Sequence, residues 1–105
     1  MGNVYIVEGA RTAFTSFGGS LSNIDAVELG TVTAIEALKR SNVSPEHVEH
    51  VIYGGVITTG ENSAYLARHI GLKAGVPQEV PALTLNRLCG SGMQSIVTAA
   101  QHILL

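Results

Sequence analysis

Asn86-Arg87-Leu88-Cys89-Gly90-Ser91-Gly92-Met93-Gln94-Ser95 is the stretch whose reading settles the architecture. The apolar run before it, residues 80–85, reads as a strand, with Pro81 tolerable only near its start or on an edge. After it, Met93, Ile96, Val97, Ala100, Ile103 and Leu104 recur at helical spacing and form one apolar stripe. Ser91 and Gln94 stand in the S-x-x-Q arrangement of a capping box, so the spacing predicts a helix beginning at Ser91. The stretch is a sharp strand-to-helix turn that carries a thiol. In open parallel sheets, ligands sit beyond the carboxyl ends of strands, and this is such an end.

Working outward, the rest of the chain alternates in the same way. Val4-Tyr5-Ile6-Val7, ended by Gly9, and Val51-Ile52-Tyr53, ended by Gly54 and Gly55, are β-branched and aromatic runs that read as strands. Between them a helix is expected over 24–40, where Leu29, Val32, Ile35 and Leu38 recur three apart and Glu36 precedes Arg40 by four; Asn42 and Pro45 end it. A further helix is expected over 63–74, stopped by Gly75-Val76-Pro77, a glycine cap followed by a residue that cannot continue. The predicted order is βαβαβα. Such an order implies an α/β fold with parallel strands, right-handed crossovers and helices on both faces. The last helix has no stop signal and ends on Ile103-Leu104-Leu105, so the chain reads as cut within its third helix.

Cys89 is the strongest chemical candidate. Unpaired N–H groups of the first helical turn lie beside it, and their partial positive charge favours thiolate over thiol. Gly90 and Gly92 remove side chains that would block a substrate, and the Cys89 main-chain N–H is placed to stabilise an oxyanion formed by attack on a carbonyl. A lone cysteine in an apolar chain also reads as a buried, inert thiol. Both readings stand at this point. Gly90-Ser91-Gly92 followed by Ser95 is a weak version of a dinucleotide fingerprint, without its downstream acidic residue. The glycines at 55 and 60 have phosphate-loop spacing, but Glu61-Asn62 follows where Lys and Ser or Thr are needed, so that match fails on charge. The loop over 9–23 is long for a βα connection and reads either as functional or as a surface loop pinned by Phe14 and Phe17. His47, His50, His69 and His102 show no ligand spacing, and none is assignable as the partner of Cys89. No metal site is expected.

Composition narrows the function classes. The 105 residues carry 6 Lys+Arg against 8 Asp+Glu, a net charge of -2, which is too little positive charge for nucleic-acid steering. Charged residues are 13% and hydrophobic residues 46%, so the chain demands more burial than a lone domain of this size supplies, which points to an oligomer or to part of a larger protein. No apolar run is long enough to span a bilayer and no leader pattern opens the chain, so the expected compartment is the cytoplasm. One cysteine excludes an intrachain disulfide.

The residues resemble the thiolase family, acetyl-CoA acetyltransferases in particular. Val4-Tyr5-Ile6-Val7 leading to Ala10-Arg11-Thr12 and Phe17-Gly18-Gly19-Ser20-Leu21, then Ala67-Arg68 with Ala74-Gly75-Val76-Pro77, are similar to that family's opening elements. Most specific is Asn86-Arg87-Leu88-Cys89-Gly90-Ser91-Gly92-Met93, which is similar to the segment around the family's acyl-accepting cysteine. Ala13 and Ser63-Ala64-Tyr65-Leu66 depart from the pattern.

The resemblance implies a thiolase-like fold in which Cys89 attacks an acyl-CoA thioester, holds the acyl group covalently, and serves Claisen condensation or thiolysis. It also implies CoA thioesters as substrates, no permanently bound cofactor, and pairing of copies into a homo-oligomer. The family's Gly-His-Pro segment and its second cysteine are not in this sequence. The expectation is therefore an N-terminal thiolase portion that is inactive without C-terminal thiolase polypeptide. A related condensing enzyme, of the ketoacyl synthase or hydroxymethylglutaryl-CoA synthase type, and a non-catalytic structural piece are the alternatives. The sequence assigns no CoA-binding residue.

Overall fold

A computed structural model describes residues 2–105. Helix α1 spans Ala26–Ser41, strand β1 Val51–Gly54, helix α2 Leu66–Lys73, strand β2 Ala82–Leu85 and helix α3 Ser91–Leu104. Single 3₁₀ turns at Pro45–His47 and Ser63–Tyr65 precede β1 and α2.

Local chemistry explains the helix ends. Asp25 caps α1 by accepting the Glu28 N–H at 2.8 Å, while Lys39 and Arg40 place positive charge in the last turn, where the helix dipole is negative. Asn42 adopts a left-handed φ of 56°, and Val43 N–H reaches back to Leu38 O at 3.0 Å to close the helix. Helix α2 ends in a Schellman motif: Gly75 has φ 91°, its N–H donates to Leu72 O at 3.2 Å, and Val76 N–H donates to Gly71 O at 2.9 Å.

The strands β1 and β2 pair in parallel, with Val51 opposite Ala82 and Gly54 opposite Leu85. Alternation sends Val51 and Tyr53 to one face and Ile52 and Gly54 to the other. On the first face lie α2, which brings Gly71 against Val51, and α1, which brings Gly30 against Tyr53 and Ile70. A Cβ on Gly30 would run into the Ile70 side chain, so glycine permits the close approach of α1 to α2. The core consists of Val27, Leu66 and Ile70 in one cluster and Val51, Ala67 and Val76 in a second, with Tyr53 packed against both. Burial pushes the Tyr53 phenol above its ordinary pKa, partly offset by its hydrogen bond with Thr33. On the opposite face, Gly54 meets Ser91 at the start of α3. Helices therefore cover both faces of a parallel sheet, as the alternation of elements implies.

Two expectations are corrected. Residues 4–7 join no ladder, and Tyr5, Ile6 and Val7 are exposed. A β-branched run becomes a strand only when a neighbour takes its hydrogen bonds. Just beyond the segment, Arg40 Nη1 at the end of α1 donates to Gly9 O at 3.4 Å. Phe14 and Phe17 are exposed and pin nothing; the Arg11 guanidinium lies 4.7 Å from the centre of the Phe14 ring. In α3 the only buried residue is Ser91, and Met93, Ile96, Val97, Ile103 and Leu104 are exposed, so the apolar stripe finds no cover among the described residues.

Candidate active site

Strand β2 delivers the chain into the turn 86–90 and α3 carries it away, so Cys89 lies beyond the carboxyl end of a parallel strand. The turn is held at both ends by side chains. Asn86 Nδ2 donates to Val56 O at 3.0 Å, fastening it to the segment that leaves β1, while Asn86 Oδ1 accepts the Leu88 N–H at 2.9 Å. Ser91 Oγ accepts the Arg87 N–H at 2.7 Å and donates to Leu88 O at 2.7 Å. Gly90 N–H donates to Arg87 O at 3.1 Å and Ser91 N–H to Leu88 O at 3.0 Å. Leu88 has a φ of 49°, in the left-handed region that a leucine rarely adopts.

The expected capping box does not form. Ser91 is 3% exposed and is the first helical residue; Gly90 is the cap, and no side chain caps α3. Gln94 instead donates from Nε2 to Thr98 Oγ1 at 3.2 Å. The Ser91 hydroxyl is spent on the Arg87 and Leu88 backbone of the turn, so it is unavailable to the first-turn N–H groups. Those groups stay free. The N–H groups of Cys89, Gly92 and Met93 have no acceptor among the described residues.

The thiol itself is exposed. Cys89 is therefore not buried among the described residues. A Cβ on Gly92 would meet nothing within 4 Å, so that glycine leaves open space in the first turn after Cys89. Free donors, an exposed sulfur and an unobstructed approach converge on the start of a fourteen-residue helix, where the backbone dipole favours negative charge.

Other sequence candidates lie elsewhere. His50 and His102 stack with ring centres 4.5 Å apart, at the end of α3 remote from Cys89, and His69 stacks on Tyr65 at 5.8 Å. His47 sits in the 3₁₀ turn before β1. No histidine is brought to Cys89. The larger groove, about 910 Å³, lies between α1, β1 and α3 and is lined by Ala37, Ile52, His102 and Ile103 among others; Cys89 does not line it. Residues 59–63 line a smaller cavity of about 230 Å³ together with Asp25, His69 and Lys73. Among the described residues, no group of three His, Cys, Asp or Glu side chains is placed to hold a metal, and no helix is long and apolar enough to cross a membrane.

Sequence reasoning missed three supporting groups. Asn86 was legible as part of the quoted stretch, but its reach to Val56 was not. Thr84 Oγ1 on β2 accepts the Ala67 N–H of α2 at 2.9 Å, a cap supplied by a strand distant in sequence. Arg68 donates to Val80 O at 2.7 Å and to Gln78 O, clamping the approach to β2.

Comparison with known proteins agrees with this geometry. Residues 4–105 match the family model described as the thiolase N-terminal domain. A β-ketothiolase of Cupriavidus necator is 51% identical over 102 residues, which are 97% of this chain and 26% of that protein. The human mitochondrial 3-ketoacyl-CoA thiolase is 49% identical over 95% of this chain and 25% of its own length. Its crystal structure in complex with CoA superposes with a TM-score of 0.90 over 92% of this chain. An acetyl-CoA acetyltransferase sequence of Clostridioides difficile is 47% identical over 90% of this chain and 88% of its own length. The chain thus spans about a quarter of the length of the first two relatives. With the family model matching nearly the whole chain, including the Cys89 turn, the chain belongs to the thiolase family.

Proposed function

We propose that this chain supplies the acyl-accepting nucleophile of an acyl-CoA acyltransferase, an acetyl-CoA C-acetyltransferase of the thiolase type. In the first step the Cys89 thiolate attacks the carbonyl carbon of an acyl-CoA. The Cys89 N–H donates to the oxygen as negative charge develops there. The carbon–sulfur bond to CoA breaks, CoA leaves as a thiolate that takes up a proton, and the acyl group remains as a thioester on Cys89. In the second step the α-carbanion of a second acetyl-CoA attacks the thioester, forms a new carbon–carbon bond and frees the Cys89 thiolate. Thiolysis is the reverse: Cys89 attacks the 3-keto carbon of a 3-ketoacyl-CoA, the α-carbanion of acetyl-CoA leaves and takes up a proton, and CoA thiolate then carries the acyl group off Cys89. Dividing the transfer in this way replaces one difficult step with two easier ones.

The observation that carries this reading is the exposed thiol of Cys89 on a turn whose own N–H has no acceptor, inside a stretch that matches the thiolase family. CoA thioesters are the substrates in this proposal, with support from the relatives' names and from the CoA complex of the human enzyme; no permanently bound cofactor takes part.

Among the described residues, no side chain is placed to sustain the thiolate beside the helix terminus or to remove the α-proton of the second substrate. Turnover therefore needs further thiolase polypeptide, in keeping with the quarter of its relatives' length that the chain spans. The uncovered stripe of α3 supports cover by that polypeptide and association of copies into a homo-oligomer. A cytoplasmic setting belongs to the same proposal, and fractionation of source cells decides it against the mitochondrial setting in the human relative's name. The test is thiolysis of acetoacetyl-CoA. The enzyme carrying this segment with its remaining polypeptide turns over, Cys89→Ala abolishes turnover, and the isolated 105-residue chain shows none. Retained turnover in Cys89→Ala, or turnover by the isolated chain, contradicts the reading.

A further inference from the structure

Among the described residues the Ser91 hydroxyl is the one buried polar side chain, and the expected capping role does not account for it. Its oxygen sits between two backbone groups of the nucleophile turn, accepting from Arg87 N–H and donating to Leu88 C=O, each at 2.7 Å. Between those contacts and Cys89 stands Leu88, whose backbone is left-handed at φ 49°. An L-residue with a Cβ resists that conformation, so something must hold it. Two further features show that the position is built. Gly54 gives up its side chain to admit Ser91, since a Cβ there would lie 2.7 Å from Ser91 C and O. Asn86 ties the other side of the turn through the Leu88 N–H.

We infer that Ser91 is a positioning residue for Cys89: its hydroxyl holds Leu88 in the left-handed conformation, which aims the Cys89 N–H and thiol outward together. This rests on the acyl-cysteine reading above. The hydroxyl is buried and bonded within the turn, so it touches neither thiol chemistry nor substrate directly. Without it, Leu88 relaxes toward negative φ and the peptide joining it to Cys89 rotates. The sulfur stays exposed while the N–H loses its aim at the acyl oxygen. The deficit falls on kcat, with KM for acyl-CoA little changed, because the misdirected donor matters most where charge develops on oxygen.

The experiment is Ser91→Ala, Leu88→Gly and the double variant in the full-length enzyme, with kcat, KM and the mass of the acetyl-Cys89 peptide measured for each. Ser91→Ala is expected to lower kcat by roughly tenfold to a hundredfold, the range for losing a buried hydrogen bond that orients a reacting group. Leu88→Gly serves as the reference for the double variant, which recovers most of the loss seen in Ser91→Ala, since glycine adopts positive φ freely. A packing role for Ser91 predicts no recovery. Unchanged kcat in Ser91→Ala, or a loss that Leu88→Gly does not restore, overturns the inference while the wild-type acetyl-Cys89 peptide still upholds the reaction. Absence of that peptide in wild type overturns the reaction itself. Should Ser91→Ala not fold, Ser91→Cys, of similar volume but a weaker donor, is read by the same criteria.

Discussion

Gly54→Ala tests the coupling between the sheet and the nucleophile turn. An added Cβ would lie 2.7 Å from the carbonyl carbon and oxygen of Ser91 and 2.8 Å from its Cβ. These contacts are mostly backbone, fixed by the first turn of α3, so no flexible side-chain end can swing aside. Either the end of β1 or the start of α3 must move. Forced overpacking of this kind costs about 1–3 kcal/mol. Replacing glycine lowers the entropy of the unfolded chain and returns about 0.4–1 kcal/mol. The net expectation is a loss of about 1–2 kcal/mol, read as a lower urea midpoint of the enzyme carrying this segment. Because the displaced atoms belong to Ser91, the alkylation rate of Cys89 changes as well. Gly92→Ala is the control: its Cβ meets nothing within 4 Å and it lies in α3, where alanine is the better helix former. That variant is expected to hold or raise the midpoint. A Gly54→Ala midpoint at or above wild type, with unchanged Cys89 alkylation, refutes the packing argument.

Asp25→Ala removes the side chain that accepts the Glu28 N–H and is expected to cost about 1 kcal/mol in equilibrium unfolding, with Asp25→Asn recovering most of it. Tyr53 gives a pH prediction. Its folded pKa is raised by burial, so the neutral phenol is favoured in the fold; that stability is fully present below about pH 10, the ordinary phenol value, and is lost as pH rises toward the folded pKa. Alkaline unfolding of Tyr53→Phe is accordingly flatter above about pH 10 than that of wild type. Glu36→Gln breaks the 2.9 Å pair with Arg40, whose side chain is 53% exposed, and is expected to shift stability by less than about 0.5 kcal/mol in the same unfolding assay.

The helices and the two paired strands were legible because each carries its own local signal. The three-apart apolar positions of α1, the Gly75-Val76-Pro77 stop of α2 and the apolar runs of β1 and β2 place those elements within a few residues of where they lie. Features set by distant partners were not legible. Residues 4–7 have strand composition but no ladder, since composition does not say which edge will receive a strand. The S-x-x-Q pattern at Ser91 and Gln94 is a local cue overridden by tertiary structure: with Gly54 opposite, Ser91 is buried and its hydroxyl bonds the preceding turn. The α3 stripe was visible as apolar, but periodicity alone does not name what covers it. At the site, Cys89 and its strand-to-helix setting were plain from the quoted stretch, whereas the left-handed Leu88 was not, because leucine carries no preference for that backbone.

The central claim is that Cys89 accepts the acyl group. The most direct measurement is mass spectrometry of peptides from the intact enzyme after brief exposure to acetyl-CoA and acid quench. The account predicts acetyl on the peptide containing Cys89 and its removal when CoA is added before the quench. Enzyme that turns over while this peptide stays unmodified, or that carries the acetyl group on another residue, would contradict it.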